Sequence, residues 1–242
     1  MSRKLNLPQT DIFSIYSDSG QPDLVEMPYL SYSQISKWLK SKREYIRKYF
    51  LGEPDDNEGL QRYGDFGHKV GGALEHNDYS GFEPDEIEFL KTVPRYDRFE
   101  VETLLKMDGF FVKGYIDTMK LPDDHKGSGH IIEYVPAIAD YKTGDISKKE
   151  EDYASDDYIQ LEIYAASIEQ VFGSLPEKAD VLLIGRSGNA FKGEELKLTK
   201  EFITIKKDIT PERIEEVKKL VQKVAEEISD YYTTFQRING LI

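Results

Sequence analysis

The segment Ala139-Asp140-Tyr141-Lys142-Thr143-Gly144 sets a carboxylate and an ammonium two residues apart. On a strand, alternation sends Asp140 and Lys142 to the same face. By itself the pair reads as an edge-strand ion pair. A second acid, Asp117 in Gly114-Tyr115-Ile116-Asp117, falls near the end of the preceding long strand, in parity with Phe111, Lys113 and Tyr115. If these strands pair through the 122–135 connection, Asp117 and Asp140 come close together. Two neighbouring carboxylates repel unless a cation lies between them, and hard divalent ions such as Mg²⁺ take oxygen ligands of this kind. Alone, Asp117 reads as the start of a turn.

Two further groups could serve the same chemistry. His68 lies in Gly64-Asp65-Phe66-Gly67-His68, with Gly64 four residues before it and Gly72 four after, so its helix face carries little bulk. A lone helical histidine is usually a surface or core residue, and His76, His125 and His130 lack the glycine setting. Gln160 and Tyr164 are i,i+4 neighbours on one helix face. They can hydrogen-bond a phosphate or orient a lysine, and they also fit an ordinary amphipathic helix.

The elements that must position these groups follow from periodicity. Residues 1–27 are polar, with two prolines and an Asp18-Ser19-Gly20 turn, and 1–28 reads as a loosely held leader. Residues 29–50 read as one helix capped by Ser31 or Ser33, with Ile35, Trp38, Leu39, Tyr45, Ile46 and Tyr49 as its apolar stripe. A second helix is expected over 63–75, where glycine costs ~1 kcal/mol per residue, so close packing or a ligand is expected there. Strands at 99–107 and 110–121 flank Asp108-Gly109, the favoured type I′ pair. A polar loop at 122–129 precedes apolar stretches at 130–135 and 137–141, broken by Pro136. A helix over 157–172, strands at 181–185 and 201–206, and a helix from Thr210-Pro211-Glu212 to about residue 235 complete the chain.

Composition excludes several classes. The 242 residues include no cysteine, which removes disulfides, cysteine zinc sites, iron–sulfur clusters and thiol catalysis. No apolar run approaches the roughly 20 residues of a membrane span, and residues 1–13 lack a secretory apolar stretch. A cytoplasmic protein without membrane contact is expected. Forty-five acids against 32 bases give −13, which taken as a sum argues against nucleic acid. Residues 36–50 run against that sum, with six Lys/Arg and one Glu.

The ordered set Gly-x-x-x-His, Gly-x-x-Asp, Asp-x-Lys-Thr-Gly and Gln-x-x-x-Tyr resembles the RecB-type branch of the PD-(D/E)XK nuclease superfamily. The opening segment, from Leu30-Ser31-Tyr32-Ser33-Gln34-Ile35 to Tyr49-Phe50-Leu51-Gly52, also resembles the first helix of that family's nuclease domains. The likeness covers about residues 29–186. It implies an α/β fold over 29–242, a single restriction-endonuclease-like domain with a central mixed sheet flanked by helices, the 201–235 strand and helix lying outside the core. It also implies phosphodiester hydrolysis by water activated at Mg²⁺ or Mn²⁺. Position by position, His68, Asp117, Asp140 and the backbone carbonyl of Tyr141 would ligate the metal. Asp117, Asp140 and Lys142 would be catalytic, with Lys142 near the attacking water. Gln160 and Tyr164 would contact the DNA backbone or hold Lys142.

Two departures from the family matter. Many small relatives carry cysteines for an iron–sulfur cluster, and this chain has none. Twenty-two residues separate Asp117 from Asp140, and the 122–129 loop reads as a hairpin insertion beside the site. Asp108 is the rival acid, already explained by its hairpin turn.

DNA is the expected partner. Lys42, Arg43, Arg47 and Lys48 would track phosphates, and Trp38, Tyr45 or Tyr49 would stack on bases or else belong to the core. No G-x-x-x-x-G-K-[ST] motif is present, so a stand-alone exonuclease, or a subunit served by a helicase, single-strand-binding or recombinase partner, is expected in a bacterial or phage-infected cell. DNA-end processing in recombination, repair or phage DNA metabolism is the first reading. A structure-specific endonuclease, a non-catalytic DNA-binding subunit and an acidic DNA mimic are the rivals.

Overall fold

The computed structural model describes residues 4–16, 22–54, 57–120 and 136–241. In chain order its elements are β1 (Thr10–Tyr16), β2 (Pro22–Ser31), α1 (Tyr32–Lys40), α2 (Lys42–Tyr45), a π-helical turn (Ile46–Phe50), α3 (Glu58–Glu75) and α4 (Pro84–Leu90). There follow β3 (Arg98–Lys106), β4 (Phe111–Lys120), β5 (Ala137–Gly144), α5 (Ile146–Ala154), α6 (Gln160–Phe172), β6 (Lys178–Ser187), a 3₁₀ turn (Ala190–Lys192), β7 (Lys197–Lys206) and α7 (Pro211–Ile238). The fold is α/β, with a mixed sheet flanked by helices. It divides into two compact units, one of Met1–Asp55, Thr103–Gly114 and Glu212–Ile242, the other of Asp56–Glu102 and Tyr115–Pro211.

In the first unit β1 pairs antiparallel with β2, and the end of β2 (Tyr29, Leu30, Ser31) runs parallel to Phe111, Val112 and Lys113 of β4. The expected loose leader thus holds two strands, with Leu7 and Phe13 buried. Ile12 and Leu24 stay largely exposed, so the pattern of the segment is weak. Ser31 closes β2 and caps α1 through a reciprocal pair with Gln34. The helix expected over 29–50 breaks at Ser41, which turns extended and offers its hydroxyl to the Glu44 N–H, an alternative to continuing the helical ladder. Trp38 and Tyr45 are fully buried, Trp38 meeting Tyr231 edge-on at 5.3 Å. They are core, not stacking platforms. On α7 the buried residues Ile214, Val217, Val221, Val224, Ala225 and Ile228 recur at helical spacing. At the Asp108-Gly109 turn only Gly109 takes a positive φ, 86°, so the turn is not type I′, which needs both.

In the second unit β5 runs antiparallel to β4 (Thr118 opposite Ala139) and parallel to β6, and β6 runs antiparallel to β7. Five consecutive buried residues begin β5, as befits a strand covered on both faces. Val70, Ala73 and Leu74 of α3 pack with Ala139 and Tyr141 of β5 and with Leu182 and Ile184 of β6. Strand parity therefore turns Asp140 and Lys142 away from α3. Helix α6 is buried without interruption from Gln160 to Ile168. Two helices arise from charged stretches with no clear sequence signal, α4 behind a Glu83–Glu86 capping box and α5 after Asp145. The glycines at 64 and 72 do not pack closely, since a Cβ at either would meet open space. The 122–129 loop and the apolar stretch at 130–135 lie outside the described residues.

Candidate active site

All the residues that could do chemistry together belong to the second unit. Asp140 is fully buried on β5. Its Oδ2 lies 2.5 Å from Lys142 Nζ and accepts the Tyr158 hydroxyl at 2.9 Å. Its Oδ1 is buried with no hydrogen-bond partner among the described residues. A buried carboxylate oxygen without a donor is costly, so this atom is the natural point of attachment for a cation.

Asp117 stands on the neighbouring strand, and its Oδ2 accepts the backbone N–H of Tyr141 at 2.7 Å. Burial, then the Asp140 charge, push its pKa up to about 8, against the opposing pull of Lys142 and the Tyr141 N–H. Lys142 shows the complementary balance. Burial alone would pull its pKa down, but Asp140 and Asp117 outweigh burial and leave it raised, so the side chain stays an ammonium.

Two acids that the sequence did not single out complete the centre. Carboxylate oxygens of Glu75, Glu100 and Asp117 lie within 4.8 Å of one another. Burial and the Glu100 charge raise the pKa of Glu75. Glu100 sits in β3 with φ 49°, a left-handed backbone costing ~1–3 kcal/mol in a non-glycine residue. A divalent cation fits this donor set: the carboxylates are hard oxygen ligands, one buried oxygen has no donor, and burial with neighbouring negative charge raises the pKa of Asp117 and of Glu75.

His68 is exposed on α3, two turns before Glu75, and lies outside the carboxylate trio. The backbone of Tyr141 runs between the two strand acids, and its hydroxyl donates to the Pro94 carbonyl at 3.0 Å.

Gln160 and Tyr164 are buried and linked to the carboxylate through Tyr158. The Tyr158 hydroxyl lies 2.9 Å from Gln160 Oε1, and Gln160 Nε2 lies 2.8 Å from the Tyr164 hydroxyl. Tyr158 has one hydroxyl proton to give. With that proton on Asp140, turning the Gln160 amide over, so that Nε2 donates to Tyr158 and Oε1 accepts from Tyr164, satisfies every group. Tyr164, Gln160 and Tyr158 then form one donor chain ending on Asp140. Lys207 anchors the turn before α6, donating to the Ser155 carbonyl at 2.8 Å and lying 3.5 Å from Glu162. Tyr158 was legible only as an aromatic two residues before Gln160.

The model of the PD-(D/E)XK nuclease superfamily matches residues 75–238. The chain belongs to the PD-(D/E)XK nuclease superfamily. The matched span includes Glu75, Asp117, Asp140, Lys142, Gln160 and Tyr164 and starts after His68. Membership implies phosphodiester hydrolysis with divalent metal, and the absence of cysteine excludes an iron–sulfur cluster. No curated protein matches the sequence. A crystal structure of a candidate exonuclease from Eubacterium rectale is similar, with a TM-score of 0.43 and 14% identity over 88% of this chain and 82% of that one.

The basic segment of this nuclease lies in the first unit and is partly neutralised there. Lys42 pairs with Glu227 at 2.7 Å and covers the Trp38 and Tyr231 rings. Arg47 pairs with Glu53 at 2.6 Å and Glu44 at 3.6 Å. Lys48 lies over Tyr49, and Arg43 is exposed. Among the described residues no helix is long and apolar enough to cross a membrane.

Proposed function

We propose that this PD-(D/E)XK protein is a divalent-metal-dependent DNA exonuclease of the RecB-type branch. It processes DNA ends in recombination, repair or phage DNA metabolism, in the cytoplasm of a bacterial or phage-infected cell. The observation that carries this reading is the buried Asp140, whose Oδ2 is held by Lys142 and Tyr158 and whose Oδ1 is buried without a donor among the described residues.

Asp117, Asp140 and the Tyr141 carbonyl would hold the Mg²⁺ or Mn²⁺, with Glu75 adjoining and His68, the further candidate on α3, standing exposed outside the carboxylate trio. When bound, the cation supplies Lewis-acid polarisation of a phosphoryl oxygen and a lowered pKa for its water. Lys142 places a fixed ammonium where negative charge develops on the phosphate and needs no reorganisation to do so. Tyr158, Gln160 and Tyr164 keep Asp140 in one orientation. Burial of these groups excludes bulk water and strengthens each electrostatic contact. Arg43 and Lys48, with Lys42 and Arg47, offer charge for the DNA backbone at the first unit. No motor motif is present in the sequence, which favours a separate helicase, single-strand-binding or recombinase partner.

End-labelled linear DNA and covalently closed circular DNA, incubated with Mg²⁺ or Mn²⁺ and with EDTA, test the reading. Metal-dependent loss of the linear substrate alone supports an exonuclease. Nicking of the circle replaces it with an endonuclease, and cleavage in EDTA removes the metal from the mechanism.

A further inference from the structure

Arg186 lies at the carboxyl end of the parallel pair β5–β6, one residue beyond Gly185, which faces Gly144. Ligands of open α/β sheets bind beyond such strand ends. Its guanidinium carbon sits 4.0 Å from the centre of the Tyr63 ring on α3. Nε and Nη1 are buried with no hydrogen-bond partner among the described residues. A guanidinium is charged at every physiological pH and offers five N–H donors. Withdrawing those donors from water without an acceptor costs more than for a neutral polar group. The half-withdrawn, unanswered charge strengthens the attraction felt by an anion at its remaining edge.

The surroundings fix the ring and leave the charge unmet. The Tyr63 hydroxyl accepts the Ala190 N–H at 3.0 Å, and Arg62 binds the carbonyls of Ala190 at 3.2 Å and Glu194 at 2.8 Å. Phe191 meets Tyr63 edge-on at 5.6 Å and covers Gly59, where a Cβ would stand 2.4 Å from the Phe191 ring. Only glycine at 59 lets Phe191 lie there. The site is thus an aromatic platform under a cation, three register positions beyond Lys142, which faces Leu183, and by strand parity on the opposite, α3-packed face of the sheet. At the rise of a strand that separation is roughly 10 Å.

Resting on the nuclease reading above, we propose that Arg186, stacked on Tyr63, is a subsite for a backbone phosphate of the bound DNA strand. It would take a phosphate distinct from the one at Lys142, because the two side chains leave opposite faces of the sheet. Arg186 in this role binds substrate and takes no part in the chemistry.

The test measures binding of a short oligonucleotide by the full chain in EDTA across a salt series. Arg186→Gln should weaken binding about tenfold or more and flatten the slope of log K against log salt by about 0.7–0.9, one phosphate contact. Arg186→Lys should restore the slope but not the full affinity, because an ammonium keeps the charge and loses the fork. A neutral methylphosphonate walked along the oligonucleotide should find one sensitive linkage in the wild type, and that sensitivity should vanish in Arg186→Gln. An unchanged slope, or the absence of any sensitive linkage in the wild type, overturns the subsite. If the wild type binds no DNA, the nuclease reading itself fails. Inorganic phosphate then decides the subsite alone: a melting shift in the wild type that is lost in Arg186→Gln keeps it as an anion site, and no shift removes it.

Discussion

The Tyr158 hydroxyl lies 2.9 Å from Asp140 Oδ2, on the oxygen that also receives Lys142. Two donors on one oxygen and none on the other hold the carboxylate with Oδ1 buried and without a donor among the described residues. Tyr158→Phe removes one donor and leaves the ring in place against Tyr153, 5.1 Å away. The expected result is about a 10–100-fold loss in metal affinity or cleavage rate with a melting temperature close to wild type. Full activity in Tyr158→Phe would show that Lys142 alone orients Asp140.

Lys142→Ala should abolish cleavage and also destabilise the protein. Asp140 is fully buried, so removing its cation strands a charge in the interior, a loss of ~3–5 kcal/mol. Divalent metal should recover part of that loss. Denaturant melts with and without Mg²⁺ measure both effects, and residual cleavage would take the lysine out of the chemistry.

Asp117 predicts a pH dependence of stability without metal. Its carboxyl is pushed up to about 8 in the folded chain and sits at ~3.9 when unfolded. Between those values the folded state binds the extra proton, so in EDTA stability is greatest at low pH and falls as pH rises from about 4 through 8. Asp117→Asn should flatten this decline, melt higher than wild type at pH 8, and lose the metal-induced rise. A wild-type profile in Asp117→Asn would mean that Glu75 or another acid carries the proton.

The basic segment should divide by its ion pairs. Lys42→Gln and Arg47→Gln break pairs with Glu227 and Glu53 and should leave stability nearly unchanged, as solvent screening makes surface pairs weak. Their effect on the salt slope of DNA binding should be smaller than that of Arg43→Gln. Equal slopes for all single variants and for the fourfold neutralisation would exclude this segment as a DNA surface.

Much of this protein is written in short-range patterns. The shared face of Asp140 and Lys142 follows from strand alternation, the Ser31 cap from local hydrogen bonding, and the opposition of Asp117 to Asp140 from parity across an antiparallel pair. The family resemblance is legible for the same reason, since its motifs are strand and helix positions at set spacings. The charged stretches that became α4 and α5, and the strands of the first 31 residues, carry too weak a period to be read that way.

What only the tertiary structure decided are the partners that arrive from far along the chain. Glu75 reaches Asp117 because it ends α3, which packs through Val70, Ala73 and Leu74 onto the other face of β5. Glu100 reaches it through a left-handed backbone in β3 that no pattern foretells. Whether Gln160 and Tyr164 face DNA or protein depends on what covers α6. Burial on every side turned them inward, onto Tyr158 and so onto Asp140. Local spacing can set which way a side chain leaves its own strand or helix. Only the packing of distant elements sets what it meets there.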